Sequence, residues 1–245
     1  MIKAKSQKKF NVEYYHTDKY YSDDSERLQD REVLAIGFLN SLGEHIRVLD
    51  VGCGKGKFLS YLTTKDKTGF DISKTAIEAL RKKGIKGKYG DVQDALPFPS
   101  GSFDAVYCGE IIEHVLDTDF FLAECSRVLR KGGHLVITTP NFGSLRSAVE
   151  VLVGRQPKWL EYRFDESSAG HVRYYTWNAL KKHVQMHGFR VVKMKPTEMA
   201  YDFWRFDRGL PVRVVSKSAS VIVPRFGRGV LLIAQKTSQS RHSRG

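Results

Sequence analysis

The sequence predicts an α/β fold built on a mainly parallel sheet with helices on both faces. Two observations carry that class. The stretch Arg47 to Leu59, R-V-L-D-V-G-C-G-K-G-K-F-L, reads as a short buried strand, a glycine turn and the start of a helix. Beyond it, short branched apolar runs alternate with helical patterns, and the chain closes on a last apolar run, Gly229 to Gln235. That alternation is the rhythm of strands joined by helical crossovers.

The elements follow in order. Asn11 to Asp24 is rich in tyrosine. Glu26 to Leu42 carries Leu28, Val33, Leu34, Phe38 and Leu42 near helical spacing, and Gly43 is placed to cap that helix. After the strand Val48–Val51 and its glycines, Phe58 to Thr63 continues a helix. Thr68 to Asp71 is a second strand ending in an acid. Ser73 is a good N-cap for a helix from Ala76 to Lys83, which Gly84 stops. Gly87 to Tyr89 is a weak third strand, followed by Gly90, Asp91 and Val92. A turn-rich loop, Leu96 to Ser102, precedes the clear strand Phe103–Cys108. Phe120 to Leu129 is helical, and Lys131-Gly132-Gly133 turns the chain into the strand His134–Thr139.

The glycine turn selects among ligands. A dinucleotide fingerprint has the spacing G-x-G-x-x-G. Gly52, Gly54 and Gly56 give G-x-G-x-G, with the third glycine one residue early. Asp50 stands two residues before the first glycine, where a carboxylate repels a pyrophosphate and attracts an ammonium group. Asp71 lies about twenty residues beyond Gly52, where an acid can accept both hydroxyls of a ribose.

These signals, with the run L-R-K-G-G-H-L-V-I-T-T-P-N from Leu129 to Asn141, resemble the class I S-adenosylmethionine (SAM) methyltransferases in their small-molecule branch. The resemblance is close from Val48 to Asn141. It resumes from Gly170 to Val192, around H-V-R-Y-Y-T-W-N-A-L. It implies a seven-stranded Rossmann-like sheet whose last strand is antiparallel, with Phe189–Met194 pairing to that strand. It also implies SAM as cofactor. Asp50, Gly52, Cys53, Gly54 and Gly56 would line the cofactor pocket, with Asp71 and Ile72 at the ribose. Asp91 and Val92 would meet the adenine, with Asp94 an alternative for part of that work, and Gly109 and Glu110 would complete the mouth.

Glu110, Glu113 and His114 follow the fourth strand. On a helix, positions i, i+3 and i+4 share a face, so these side chains could hold a divalent cation. The E-x-x-E-H pattern resembles the metal motif of the ubiquinone-pathway O-methyltransferases and of the small-RNA 2′-O-methyltransferases. In those families a further histidine comes from a loop before the next helix, and His171 is in the matching place. The metal reading takes Mg²⁺ or Mn²⁺ on Glu110, Glu113, His114 and His171, lowering the pKa of an acceptor hydroxyl. The metal-free reading makes His114 a base or a partner of the cofactor's methionine end. Glu113, His114 and His171 are the catalytic candidates in either case. The strand is followed by C-G-E-I in place of the Asn/Asp-Pro-Pro-aromatic motif of amino-methylating nucleic-acid enzymes, and neither G-x-S-x-G nor a Walker A sequence is present.

The domain reading is an N-terminal cap segment over 1–43, a core over 44–194 and 229–237, and a lid insertion over 195–228. The lid mixes Tyr201, Phe203, Trp204 and Phe206 with arginines. The formal net charge of +13 sits mostly at the ends. Tyr201 to Gly245 holds nine Lys/Arg against Asp202 and Asp207, and Met1 to Phe10 holds four lysines and no acid. Such ends are either solvated tails or an attraction to an anionic surface. No apolar run approaches the ~18 residues of a transmembrane helix, and the first ten residues lack the apolar core of a secretory signal. Cys53, Cys108 and Cys125 are far apart, which predicts free thiols in a reducing cytoplasm. The expected function is methylation of a small or lipid-linked hydroxylated acceptor by a cytoplasmic protein, with contact to an anionic membrane surface as a further expectation. Two rivals stay open: an RNA 2′-O-methyltransferase, with nucleic acid the less favoured partner, and a non-catalytic SAM-binding regulatory domain.

Overall fold

The computed structural model describes residues 28–157, 160, 170–197 and 224–237. Its centre is one seven-stranded sheet. The strands are β1 (Val48–Val51), β2 (Lys67–Asp71), β3 (Lys86–Tyr89), β4 (Phe103–Gly109), β5 (Leu129–Pro140), β6 (Phe189–Thr197) and β7 (Gly229–Lys236). Their spatial order is β3-β2-β1-β4-β5-β7-β6. The first five run parallel, whereas β7 is antiparallel to both β5 and β6. The expected fold class and the expected final hairpin are both present.

The helices are α1 (Asp30–Ser41), the single turn α2 (Lys57–Ser60), α3 (Lys74–Lys82), α4 (Thr118–Val128), α5 (Leu145–Leu152) and α6 (Trp177–Met186). Period-two alternation along the strands splits the apolar side chains between two cores. Val48, Ala105, Tyr107, Val136, Leu231 and Ile233 pack with Ala35 and Leu39 of α1, Phe58 and Leu59 of α2, and Ile77 and Leu80 of α3. Leu49, Val106, Cys108, Leu135, Ile137 and Leu232 face the other way, onto Phe121, Leu122 and Cys125 of α4 and Leu180 and Val184 of α6. The central strands are thus apolar on both faces, which explains why their sequences read as continuous runs.

Several boundaries differ from the sequence reading. In α1 the helix begins at Asp30, after Gln29, whose backbone N–H is capped by the Glu32 carboxylate at 2.7 Å. α2 stops after one turn, short of the predicted Thr63. Asp117 caps α4 by accepting from the Phe120 N–H, so that helix starts two residues earlier than predicted. β5 begins at Leu129 because Leu129 pairs with Phe103. The glycine turn 131–133 lies inside the strand as a register shift. Ser73 caps α3 as expected, accepting from the Ala76 N–H at 3.2 Å.

Two charged clusters hold the connections. Asp104 bridges Arg47 and Arg130. Burial alone would raise its pKa, but the hydrogen bonds from the two guanidinium groups prevail and hold it at about 2. Arg127 makes a two-pronged pair with Glu124 and donates to the carbonyls of Leu96 and Phe98, which fastens the turn-rich loop to α4. The three cysteines are buried free thiols. Among the described residues no helix is long and apolar enough to cross a membrane. The tyrosine-rich segment, most of the lid and both basic ends lie outside the described residues.

Gly56 is the position where the glycine turn has least tolerance. Its φ is +78°, and a Cβ there would meet Leu80 Cδ1 at 2.1 Å. Gly56→Ala is therefore expected to cost about 2 kcal/mol, combining a left-handed backbone with an overpacked helix contact. Urea unfolding measures it; a loss below about 0.5 kcal/mol would mean that Leu80 repacks freely.

Candidate active site

In this strand order β1 lies between β2 and β4, so the chain leaves the carboxyl end of β1 toward one side and returns on the other. A crevice forms outside such a switch point. Asp50, Asp71 and Gly109, at or near the carboxyl ends of β1, β2 and β4, surround it.

The glycine turn is bonded inward. The N–H groups of Gly52 and Cys53 donate to the Phe70 carbonyl at 2.8 and 3.2 Å, and Gly56 donates to the Cys53 carbonyl at 3.0 Å. Gly54 donates to Asp71 Oδ2 at 2.8 Å, while Ser73 donates to Asp71 Oδ1 at 2.8 Å. A pyrophosphate loop needs those N–H groups pointing at its ligand. Here they are committed to the protein, which fits a ligand without phosphate. Asp71 is fixed by two backbone donors, and its carboxylate retains lone pairs that could accept from a diol.

Asp50 is 2% exposed, and its carboxylate makes no hydrogen bond or ion pair among the described residues. Burial pushes its pKa well above the usual carboxylate range, helped by the nearby charges of Asp71 and Glu32. A buried carboxylate without a counter-charge costs free energy that a cationic ligand group would recover. The donor set therefore fits an ammonium-bearing cofactor.

The other predicted contacts divide. Cys53 contributes its backbone to the turn, but its side chain packs into the α1–α3 core, and burial drives its thiol pKa upward. Ile72 is half-buried beside Asp71, and Asp91 is buried and accepts from the Gln93 N–H at 3.0 Å. Val92 packs against the α4–α6 core. Gly109 is needed sterically, since a Cβ there would lie 2.4 Å from Tyr107 Oη.

The Glu110–His114 stretch is not the predicted helix. Glu110 has φ +52°, a left-handed conformation rare outside glycine, and only Ile112–His114 forms a 3-10 turn. The shared-face argument therefore fails for Glu110, which forms no part of the group that could hold a metal ion. Glu110 lies 3.7 Å from Arg31 of α1, a partner that the sequence reading missed.

Glu113, His114 and His171 do meet. Their ligand atoms lie within 4.8 Å of one another, and all three residues are buried. The Glu113 main-chain carbonyl accepts from the N–H groups of Val172 and Arg173 at 2.8 and 3.0 Å, which docks the His171 segment from 57 residues away. The two imidazole centroids are 4.9 Å apart. Thr139 donates to Glu113 Oε2 at 2.8 Å, whereas Glu113 Oε1 is buried without a hydrogen-bond partner. Burial raises the Glu113 pKa well above its usual value, with the Glu110 charge adding to it. His114 Nδ1 lies 3.2 Å from the Gly170 carbonyl. A carbonyl only accepts, so Nδ1 carries the proton and Nε2 keeps its lone pair. Burial lowers the His114 pKa to about 3, with the neighbouring His171 adding to the effect, so the ring is neutral near pH 7. A neutral ring can serve as base or as ligand. Thr139 and Gly170 carried no signal in the sequence, because both partnerships are set by tertiary packing.

Comparison with known proteins places part of the chain among methyltransferase sequences. Residues 49–137 match the family model described as a methyltransferase domain. The "O-methyltransferase cnsE" of Penicillium expansum is 34% identical over a region covering 50% of this chain and 48% of that protein. A fatty-acid O-methyltransferase of Mycolicibacterium smegmatis is 41% identical over 38% of this chain and 36% of its own. A ubiquinone biosynthesis O-methyltransferase of Pelagibacter ubique is 34% identical over 48% and 52%. The chain thus spans about half or less of the length of these curated relatives. Among solved structures, a chain from the complex of the Haloferax volcanii Trm112 methyltransferase activator with a putative methyltransferase superposes with TM-score 0.60 at 18% identity, covering 97% of this chain and 95% of that one. A SAM-dependent methyltransferase from Thermotoga maritima, described as a possible histamine N-methyltransferase, gives 0.58 at 20%, covering 84% and 89%. At these identities the structures show the fold alone.

The buried His114 has a consequence for acid stability. Its pKa is about 3 when folded and near 6.5 when unfolded. The unfolded chain binds the extra proton between those values, so this contribution to stability is complete above pH 6.5 and is lost as pH falls toward 3. Imidazole NMR on the free protein is expected to show no protonation of His114 down to about pH 4. His114→Gln is expected to flatten the matching part of the stability–pH curve; titration of the ring near pH 6 would contradict the burial.

Proposed function

We propose that this chain, whose residues 49–137 match the methyltransferase domain family, is a SAM-dependent O-methyltransferase acting on a small or lipid-linked hydroxylated acceptor. The observation that carries the reading is Glu113 Oε1, buried without a hydrogen-bond partner beside two imidazoles near the mouth of the glycine crevice. When bound, SAM supplies a methyl group activated on a sulfonium. The protein's part is to position both reactants, exclude water and take the acceptor's proton. Asp50 would face the cofactor's ammonium, and Asp71 its ribose. His114 Nε2 is the lone-pair nitrogen for the acceptor's hydroxyl proton, while Gly170 holds the tautomer. Thr139 fixes the orientation of Glu113.

The same three residues offer one carboxylate and two imidazoles to a divalent cation. That set suits Mn²⁺ better than Mg²⁺, which prefers oxygen ligands. A cation held there would lower the acceptor hydroxyl's pKa. The O-methyltransferase relatives, one named for fatty acids and others for ubiquinone biosynthesis, support a hydroxyl or carboxyl acceptor on an apolar carrier. Residues 195–228 would be the lid over that acceptor, and the basic ends its attachment to an anionic membrane surface.

Two outcomes test this. Glu113→Gln and His171→Ala are each expected to lower kcat by about 100-fold or more while SAM binding by calorimetry persists. Excess EDTA is expected to abolish turnover; full activity in EDTA would remove the cation and leave His114 as the base. Separately, SAM binding is expected to release a proton. The free carboxyl of Asp50 has a raised pKa, and a bound ammonium favours its ionised form, so between the two values the proton departs. Calorimetry in buffers of different ionisation enthalpy reads this. Asp50→Asn is expected to abolish the release and weaken binding at least about 10-fold; an unchanged Kd would remove Asp50 from the cofactor site.

A further inference from the structure

The geometry points to a second metal site, for a borderline transition-metal dication such as Zn²⁺, formed by Asp119, His183 and His187 and independent of the function proposed above. His183 and His187 are one turn apart at the end of α6, so their side chains share a face. Asp119 lies in the first turn of α4, 64 and 68 residues away in sequence. Both Nε2 atoms converge on one oxygen, Asp119 Oδ1, at 3.0 and 2.8 Å. The two imidazole rings cross at 68° with centroids 5.3 Å apart.

Three donors bound to one zinc ion at about 2.0–2.2 Å stand roughly 3.3–3.6 Å from one another in a tetrahedral arrangement. The observed separations from Asp119 Oδ1 fall only a few tenths of an ångström short, so small rotamer adjustments make room for the ion. The donor set is two imidazole nitrogens and one carboxylate oxygen, with no thiolate, which favours zinc over magnesium or calcium. A metal-ligating imidazole characteristically uses its other nitrogen for a hydrogen bond that fixes the ring. The Tyr175 hydroxyl is 3.0 Å from His183 Nδ1 and supplies that bond. The two imidazoles are 17% exposed and the Asp119 side chain 72% exposed. The site is therefore walled on the protein side and open to water or one further ligand on the other. It shares no residue with the Glu113 cluster.

An ion there would tie the start of α4 to the end of α6. Tyr175 also forms a bridge with Asn141 at the end of β5 and lies four residues beyond His171. The clip would thus brace the segment that delivers His171 from outside the crevice.

The test uses the purified chain, stripped of metal with chelator and exchanged into chelator-free buffer, then titrated with Zn²⁺ against a chromophoric indicator. His171→Ala serves as the control for the Glu113 cluster. His187→Ala is expected to bind one Zn²⁺ equivalent fewer than the parent chain, and Asp119→Asn to bind that equivalent at least about 10-fold more weakly. Zn²⁺ is expected to raise the Tm of the parent chain and of His171→Ala by about 3 °C or more, to leave the double variant His171→Ala/His187→Ala unmoved, and to be without a Mg²⁺ counterpart. The metal-free Tm of each variant checks that it folds, and Asp119→Asn, on an exposed side chain, provides the second reading should His187→Ala unfold. The proposal is overturned if both variants keep the full zinc stoichiometry, affinity and Tm response, or if His171→Ala alone removes all zinc binding.

Discussion

The fold is arranged around a carboxylate almost wholly withdrawn from water. Asp50 closes the most central parallel strand of the sheet, 2% exposed, with strands hydrogen-bonded on both sides. An uncompensated charge in that position is unfavourable by several kcal/mol, so the group protonates or finds a cation. The surroundings are organised in keeping with this. The glycine turn folds its N–H groups back onto Phe70 and Asp71 instead of offering them to an anion. Leu80 leaves no room for a side chain at Gly56. The result is a crevice whose polarity is set by the carboxylates of Asp50 and Asp71.

A second layer depends on main-chain bonding. The Glu113 carbonyl receives two N–H groups from the segment after His171, so the positions of both histidines and the glutamate are coupled to one short turn. Thr139 and Gly170 then set which atoms of Glu113 and His114 face inward. Burial acts in opposite directions on the two titrating groups, raising the acid and lowering the base, so both tend toward their neutral forms. The neutral His114 ring offers a lone pair to a proton or a cation, whereas Glu113 would give up its proton on ligating a cation.

Local chemistry was legible in the sequence. The strand–turn–helix at Arg47–Leu59, the Ser73 cap and the acids at the ends of β1 and β2 depend on neighbours in the chain, and each stands where expected. The approach of His171 to Glu113 followed from family resemblance and from no local signal. Glu110 was misread because residue spacing assumes a helix, and a positive φ at a non-glycine residue leaves no mark in composition. Boundaries failed for similar reasons. α2 ends early where Lys67 takes the Leu59 and Leu62 carbonyls and Asn40 accepts from the Thr63 N–H, and β5 begins early because Leu129 pairs with Phe103.

The reversed strand β7 has a consequence for how such a protein can change. Residues 198–223 connect β6 to β7, which are paired neighbours, with Thr197 opposite Gly229. Asn141 grips the carbonyls of Arg225 and Gly227 just before re-entry. Both ends of the excursion are thereby fixed by the sheet itself. Closing a longer excursion adds only about 0.6 kcal/mol for each doubling of its length. The connection between β6 and β7 can therefore lengthen, shorten or be exchanged during evolution with little penalty to folding. For an enzyme of the kind proposed above, a new acceptor would then call for replacing this one connection and leaving the sheet as it is.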